Sequence, residues 1–302
     1  MIVVAGSANI DLVARVDHQP VPGETLIATD YAVYDGGKGA NQAVAAARMG
    51  SDVRFVGAAG TDEFGLRIRS ALAAENIDTQ GVSTVEGVSG IAMISVDTNG
   101  ENAIIVVPGA NATLGAIDHA DALFTGAHVV LTQLETPPAF VNAALKAGRA
   151  SGAETILNAA PAASLARYEL AALDWLMVNA GEAAFVAGVA DEPADIDAAH
   201  ALAAQLVDRY QVGVIITLGA DGALWRGIDA SHGHVPATPC KVVDTTGAGD
   251  TFAGVFAHAR SQGASVENAL TMAVAAGGLS VQRAGARTGM PTQAELTAAL
   301  DL

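Results

Sequence analysis

The sequence predicts an α/β fold: a doubly wound, mainly parallel sheet with a small β-sheet lid. Three observations predict it. Apolar residues make up 51% of the 302-residue chain but aromatics only 4%, the composition of helices packed closely on a parallel sheet. Strand-like runs alternate with helical ones, which implies right-handed βαβ crossovers. A few early segments instead alternate in period two, the mark of a half-exposed antiparallel sheet.

In chain order, the core strands are expected at Ile2–Ala5, Val53–Ala58, Val129–Thr132, Thr155–Leu157, Trp175–Val178 and Val214–Leu218. Helical periodicity covers Ala40–Met49, Leu66–Glu75, Ala139–Ala150, Asp250–Arg260, Val266–Gln282 and Thr292–Leu300. The period-two segments are Leu12–Val16, Thr25–Tyr34 and the pair Ile91–Val96 and Ala103–Val107, joined through Asn99-Gly100. They leave the loops that follow early core strands, so a lid over the carboxyl edge of the sheet is expected, built from about 12–34 and 91–107. No repeat, tail or linker divides the chain, and residues 1–302 read as a single domain.

With 15 basic against 32 acidic residues, the formal net charge is −17. Such a molecule repels polyanions, which argues against nucleic-acid and membrane-surface roles. A bound nucleotide must then be held locally, by backbone amides at helix starts and a divalent metal. Cys240 is the only cysteine, so no intrachain disulfide forms, and Met1–Gly6 reads as a first strand rather than a signal peptide. A soluble protein in the reducing cytoplasm is the expectation.

The sharpest motif is Val243-Asp-Thr-Thr-Gly-Ala-Gly-Asp250-Thr-Phe252, where a strand is expected to end and a small-residue turn opens an amphipathic helix. Its glycines let backbone amides approach an anion at the positive end of that helix. Asp250 by itself also reads as an ordinary helix cap. Asp35-Gly-Gly-Lys38-Gly-Ala-Asn41-Gln42 opens a second helix, and there Lys38 and Asn41 can donate to the hydroxyls of a polyol. It fails as a Walker A loop, because the G-x-x-x-x-G-K-[ST] spacing is missing.

Asn9 and Asp11, at the end of the first strand, face the same way on extended chain and can grip vicinal hydroxyls. Asn179 and Glu182 follow one predicted strand and can orient metal-bound water; Gly219 and Gly222 follow another and can admit a nucleotide. Caps and turns are the plainer readings of all four. A dinucleotide G-x-G-x-x-G, a G-x-S-x-G elbow and an H-E-x-x-H pair are all missing, which removes the best markers of hydride transfer, serine hydrolysis and zinc proteolysis. His232 and His234 read as a solvated strand edge rather than a metal site.

Taken together, Asn9-x-Asp11, Gly36–Asn41 and Asp244–Asp250 resemble the ribokinase-like carbohydrate kinases over nearly the whole chain. Val21–Thr25, Gly37–Gly50 and Gln133–Glu135 share the resemblance. It implies a homodimer paired through the lid, and an ATP-dependent kinase for a small sugar. Ribose leads as substrate; deoxyribose, another pentose or hexose, a nucleoside, and a silent sensor of the same fold are the alternatives.

Carried over by residue, Asn9, Asp11, Gly37, Lys38, Asn41 and Glu135 would contact the sugar, and Asp250 would take the proton of its attacking hydroxyl. Gly247, Ala248 and Gly249 would form the anion hole. Asn179, Thr217, Gly219, Gly222 and Gly249 would meet ATP, with Glu182 on magnesium through water. A potassium ion would lie at Asp244, Thr246, Ser280, Arg283, Gly285 and Gly289. Departures from the family pattern are the absent proline after Asn158, the apolar Val274 near the adenine, and Gly289 where a serine can stand.

Overall fold

A computed structural model describes residues 1–300 of the chain. The strands are β1 (Ile2–Ala5), β2 (Asn9–Arg15), β3 (Asp30–Gly36), β4 (Val53–Gly60), β5 (Asp78–Val85), β6 (Gly90–Val96), β7 (Asn102–Val107), β8 (Val129–Gln133), β9 (Glu154–Asn158), β10 (Trp175–Asn179), β11 (Gly213–Thr217), β12 (Ala223–Arg226) and β13 (His232–Val235). The helices are α1 (Lys38–Arg48), α2 (Glu63–Ala74), α3 (Ala120–Phe124), α4 (Pro138–Ser151), α5 (Ala180–Ala187), α6 (Ile196–Tyr210), α7 (Ala248–Ser261), α8 (Val266–Ser280), α9 (Ala286–Gly289) and α10 (Gln293–Ala299).

Nine strands form one sheet in the order β13-β12-β11-β10-β9-β8-β1-β4-β5, parallel from β11 to β5 and closed at the other edge by two antiparallel strands. β1 lies between β4 and β8, so chain order reverses there and a crevice opens beyond its carboxyl end. Both faces of the sheet are covered. Ile2 and Val4 lie on the side covered by α1 and α7, while Val3 and Ala5 pack with Phe124, Phe140 and Ala144 on the opposite side. That is why the strand reads as a continuous apolar run. Side chains buried as fully as Phe55, Phe140 and Phe256 each stabilise by roughly 1.5–3 kcal/mol relative to exposure.

The close approach of α1 and α7 decides where the site lies. A Cβ on Gly254 would stand 2.4 Å from the Gln42 carbonyl oxygen and 2.6 Å from the Ala45 Cβ, so only glycine fits at this crossing. Ala43, Ala46, Ala253 and Ala257 line the same contact, all buried. Small residues let the two backbones come close enough for short polar side chains to meet across them.

The lid is a four-stranded sheet, β3-β2-β6-β7. Two boundaries differ from the sequence reading. The first lid strand begins at Asn9, because Asn9 and Ile10 pair with Gly36 and Asp35 of β3 and with Gly90 and Ile91 of β6. Residues 22–29 join no strand, and β3 starts only at Asp30. Asn99-Gly100 does close the β6–β7 hairpin, with the Gly100 amide donating to the Asp97 carbonyl at 3.0 Å. Two strands, β5 and β12, were not foreseen, β13 was foreseen only as a strand edge at His232 and His234, and the strand expected to end at Val243 is absent, since residues 236–247 join no sheet. β5, β12 and β13 lie at or beside the sheet edges, where half-exposed polar residues interrupt the apolar pattern. His232 and His234 stand on the edge strand β13. Among the described residues no helix is long and apolar enough to cross a membrane.

Candidate active site

Gly37 caps α1 with φ +86°, and a Cβ there would lie 2.7 Å from the Asn9 amide nitrogen. The turn therefore presses directly on β2, which brings Asn9 and Asp11 to the start of α1. A Cβ on neighbouring Gly36 would come within 2.3 Å of the Asp11 carboxylate, so that carboxylate lies against bare backbone. Glu135, just past β8, accepts from the Lys38 amide at 3.0 Å and from the Ser7 hydroxyl at 2.6 Å. Asn111 donates to the Asn9 side-chain oxygen at 2.8 Å and fixes which end of that amide faces the cleft. The residues assigned to the sugar thus converge.

Asp250 is not the cap of α7. Gly247 occupies the cap position with φ +75°, and both oxygens of the buried Asp250 carboxylate turn toward α1. One accepts from Asn41 at 3.2 Å, the other from Gln42 at 3.0 Å. Gln42 also donates to Asn158 at 3.0 Å and accepts from Gln133 at 2.7 Å, so a chain of buried amides supports the carboxylate. Gln42, Gln133, Asn158 and Asn111 receive no role from the sequence, although Gln42 directly follows Asn41 and Gln133 directly follows the predicted strand Val129–Thr132. Buried amides in an otherwise apolar sheet edge were the signal.

The charges form one coupled group. Burial raises the Asp250 pKa, against the opposing pull of Lys38, Gln42 and Asn41. For Lys38, burial pulls the pKa down, yet the carboxylates of Asp250, Glu135 and Glu182 together push it above its ordinary value. Asp11 is raised to about 6, first by burial and then by Glu135, Asp250 and Asp35, with Arg287 opposing. Burial also raises Glu182, whose carboxylate caps its own helix by accepting from the Asn179 amide at 2.9 Å.

Beside this group lies a cavity of about 490 Å³, lined by Thr217, Gly219, Gly222, Val242, Phe252 and Val274 as well as Ala248 and Gly249. No atom comes within 4 Å of where a Gly249 Cβ would stand. The Ala248 amide is engaged by the Thr245 carbonyl at 3.1 Å, whereas among the described residues the amides of Gly247, Gly249 and Asp250 have no partner. Unpaired amides at a helix start, open space in front of them and a cavity alongside suit a terminal phosphate. A larger hollow of about 1310 Å³ at the amino ends of β9–β11 lacks such features, and its arginines are already paired, Arg149 with Asp174 and Arg260 with Glu154, each at 2.8 Å.

Behind the anion hole, Asp244 accepts from the Thr246 amide and hydroxyl through one oxygen and from the Gly285 amide, at 2.7 Å, through the other. It clamps two loops together. Ser280 is buried, and a Cβ on Gly289 would lie 2.7 Å from its carbonyl oxygen and 3.5 Å from that of Arg283. The Arg283 side chain points elsewhere, to Glu295.

The pfkB family of carbohydrate kinases matches residues 1–293. A ribokinase of Haemophilus influenzae is 37% identical over 297 residues, covering 97% of this chain and 96% of its own. A deoxyribokinase of Salmonella typhi is also 37% identical, over 96% of this chain and 95% of its own. The structure of Arabidopsis thaliana ribokinase complexed with ribose and ATP superposes with a TM-score of 0.91 at 30% identity, covering 100% of this chain and 98% of the other.

A carboxyl harder to ionise in the fold than in the unfolded chain lowers stability above its folded pKa, and the cost disappears below its unfolded one. Asp11→Asn should therefore raise the melting temperature of the ligand-free protein at pH 8, by about 2 °C or more. The gain should fade between pH 6 and 4. Thermal melts across that range test it; a variant melting below the unsubstituted chain at pH 8 contradicts the assignment.

Proposed function

Because this chain belongs to the pfkB family of carbohydrate kinases, we propose that it transfers the terminal phosphoryl group of ATP to the 5-hydroxyl of D-ribose, with Asp250 as the base. The observation that carries the reading is the contact of Asn41 and Gln42 with Asp250, which joins the polyol-binding helix start to the phosphate-binding one.

In an in-line transfer the hydroxyl oxygen bonds to the outer phosphorus as the bond to the ADP oxygen breaks, and the hydroxyl proton passes to Asp250. The transition state is loose, so positioning and charge stabilisation outweigh base strength. Asn9, Asp11, Gly37, Lys38, Asn41 and Glu135 hold the sugar; the amides at Gly247–Asp250 face the transferred group. Among the described residues no three metal-ligating side chains gather, which fits magnesium arriving on the nucleotide rather than in a protein cage. Glu182 and Asn179 would hold its water shell, and the metal would neutralise phosphate charge.

A potassium ion is the further cofactor we assign, at the loop where the Ser280 and Arg283 carbonyls approach Gly289 and Asp244 ties the loop to the anion hole. The lid supports a homodimer. By register, Tyr34, Val106 and Ile104 share the face of Asn9 and Asp11, and the last two are each 53% exposed. An apolar sheet face beside the site is covered well by a second lid. The free, exposed Cys240 suits a reducing cytoplasm.

The second reading is deoxyribose, favoured by the equal identity of the Salmonella relative. A sugar without the 2-hydroxyl leaves a buried polar partner unpaired, and such sites discriminate strongly. ADP release over a panel of pentoses, hexoses and nucleosides should rank ribose first in kcat/KM, by ~10-fold or more over deoxyribose, and potassium should raise the rate. Deoxyribose in first place reverses the assignment, and indifference to sodium, potassium and caesium removes the cation site.

Asp250→Asn should keep the fold and ATP affinity but lose ~10²-fold or more in kcat, the usual scale for loss of a general base. Near-normal turnover would dismiss it as the base. Light scattering should give twice the chain mass, falling to one chain for Ile104→Glu; a monomeric parent protein refutes the lid interface.

A further inference from the structure

Arg287, on α9, stands on the opposite side of Asn41 from Asp250. Its Nε donates to the Asn41 side-chain oxygen at 2.9 Å, and its terminal nitrogen donates to the Gly36 carbonyl at 3.2 Å. Asn41 passes its own NH2 to Asp250 at 3.2 Å. One guanidinium therefore touches both the turn that meets the sugar and the side chain that meets the base.

An amide presents two ends of nearly equal shape and opposite hydrogen-bonding role. Arg287 can only donate and so demands the Asn41 oxygen, while the Asp250 carboxylate can only accept and demands the nitrogen. The two charged neighbours thus agree on a single orientation of a side chain that is 6% exposed. Without the guanidinium the amide is free to turn its oxygen toward the carboxylate, which repels it. The Asn41 donor would then be lost both to Asp250 and to a sugar hydroxyl.

Arg287 is also held through its main chain. Its backbone carbonyl accepts from Arg48 of α1, and Arg48 pairs with Glu75 at 2.6 Å. The charges that face it are Asp35, Asp11, Glu75 and Arg48, so a cation on a short helix is anchored among carboxylates at the rim of the site. A charge-assisted donor in such a place holds its acceptor more firmly than a neutral one.

We propose that Arg287 is a positioning residue for phosphoryl transfer: through Asn41 it orients the Asp250 base, and through the Gly36 carbonyl it holds the turn against which the sugar lies. The inference rests on the kinase reading above and extends it to a residue that touches neither reacting atom. Its mark is a loss that falls on kcat and on the sugar, leaves the nucleotide alone, and depends on Asn41.

Steady-state kinetics of the full chain, with ribose or whichever panel sugar is turned over best, test it in a double-mutant cycle of Arg287→Met with Asn41→Ala. Arg287→Met should lower kcat about 10-fold and raise the sugar KM severalfold, with the ATP KM within about twofold. In the Asn41→Ala background the kcat loss from Arg287→Met should shrink to about twofold or less, because the route is already cut. Arg287→Lys keeps the charge but not the fork, and should restore part of the rate. Equal losses in both backgrounds, an ATP KM that moves as much as the sugar KM, or full activity in Arg287→Met would each overturn the proposal. Should the Met variant not fold by thermal melt, Arg287→Lys takes its place in the cycle: a kcat loss that shrinks in the Asn41→Ala background supports the proposal, and an equal loss in both overturns it. Absence of sugar-dependent ADP release by the unsubstituted chain would defeat the kinase reading and this inference together, whereas normal turnover with additive losses defeats this inference alone.

Discussion

A buried carboxylate held by amides from a neighbouring helix is the contact on which the rest of this molecule depends. Asp250 lies in the first turn of α7, where nearby amides favour negative charge, yet burial makes its ionised form costly. Asn41 and Gln42 resolve the conflict by donating to both oxygens. That requires α1 and α7 to cross at close range, which in turn requires glycine and alanine along their contact. Packing of small residues and chemistry of polar ones are thus a single constraint, and a larger residue at 254 would separate the groups as surely as removing them.

The same arrangement explains how a chain with a net charge of −17 can bind a polyanion. The attraction is not a property of the surface. It is confined to the unpaired amides at the start of α7 and to Lys38, which the carboxylates of Asp250, Glu135 and Glu182 surround. Such a site has little long-range pull on nucleic acid and a strong short-range preference for a phosphate at one position. On the proposed function, sugar and nucleotide would enter from different sides, the sugar between β2 and α1 and the nucleotide between β11, α7 and α8, with Asp250 where they meet.

Much of this could be read along the chain, for definable reasons. The buried parallel strands announce themselves because both faces are apolar, and β1 falls where its four residues predict. The two glycine-rich helix starts are visible because unusual backbone needs unusual residues. β5 and β12 were invisible because strands at or beside a sheet edge mix polar and apolar residues without a clean period. Residues 25–29 carried an alternation that no partner strand takes up.

By itself the sequence determined the order of the buried parallel strands, the two glycine-rich helix starts, and the residue types able to bind hydroxyls, phosphate and a proton, since these are properties of short segments. Only the tertiary structure decided that the Asp250 carboxylate turns to Asn41 and Gln42 rather than capping its own helix, because that depends on residues more than 200 positions away. The same holds for Gln42, Gln133, Asn158 and Arg287: nothing local distinguishes an amide or a guanidinium that will be buried against a carboxylate from one that will face water.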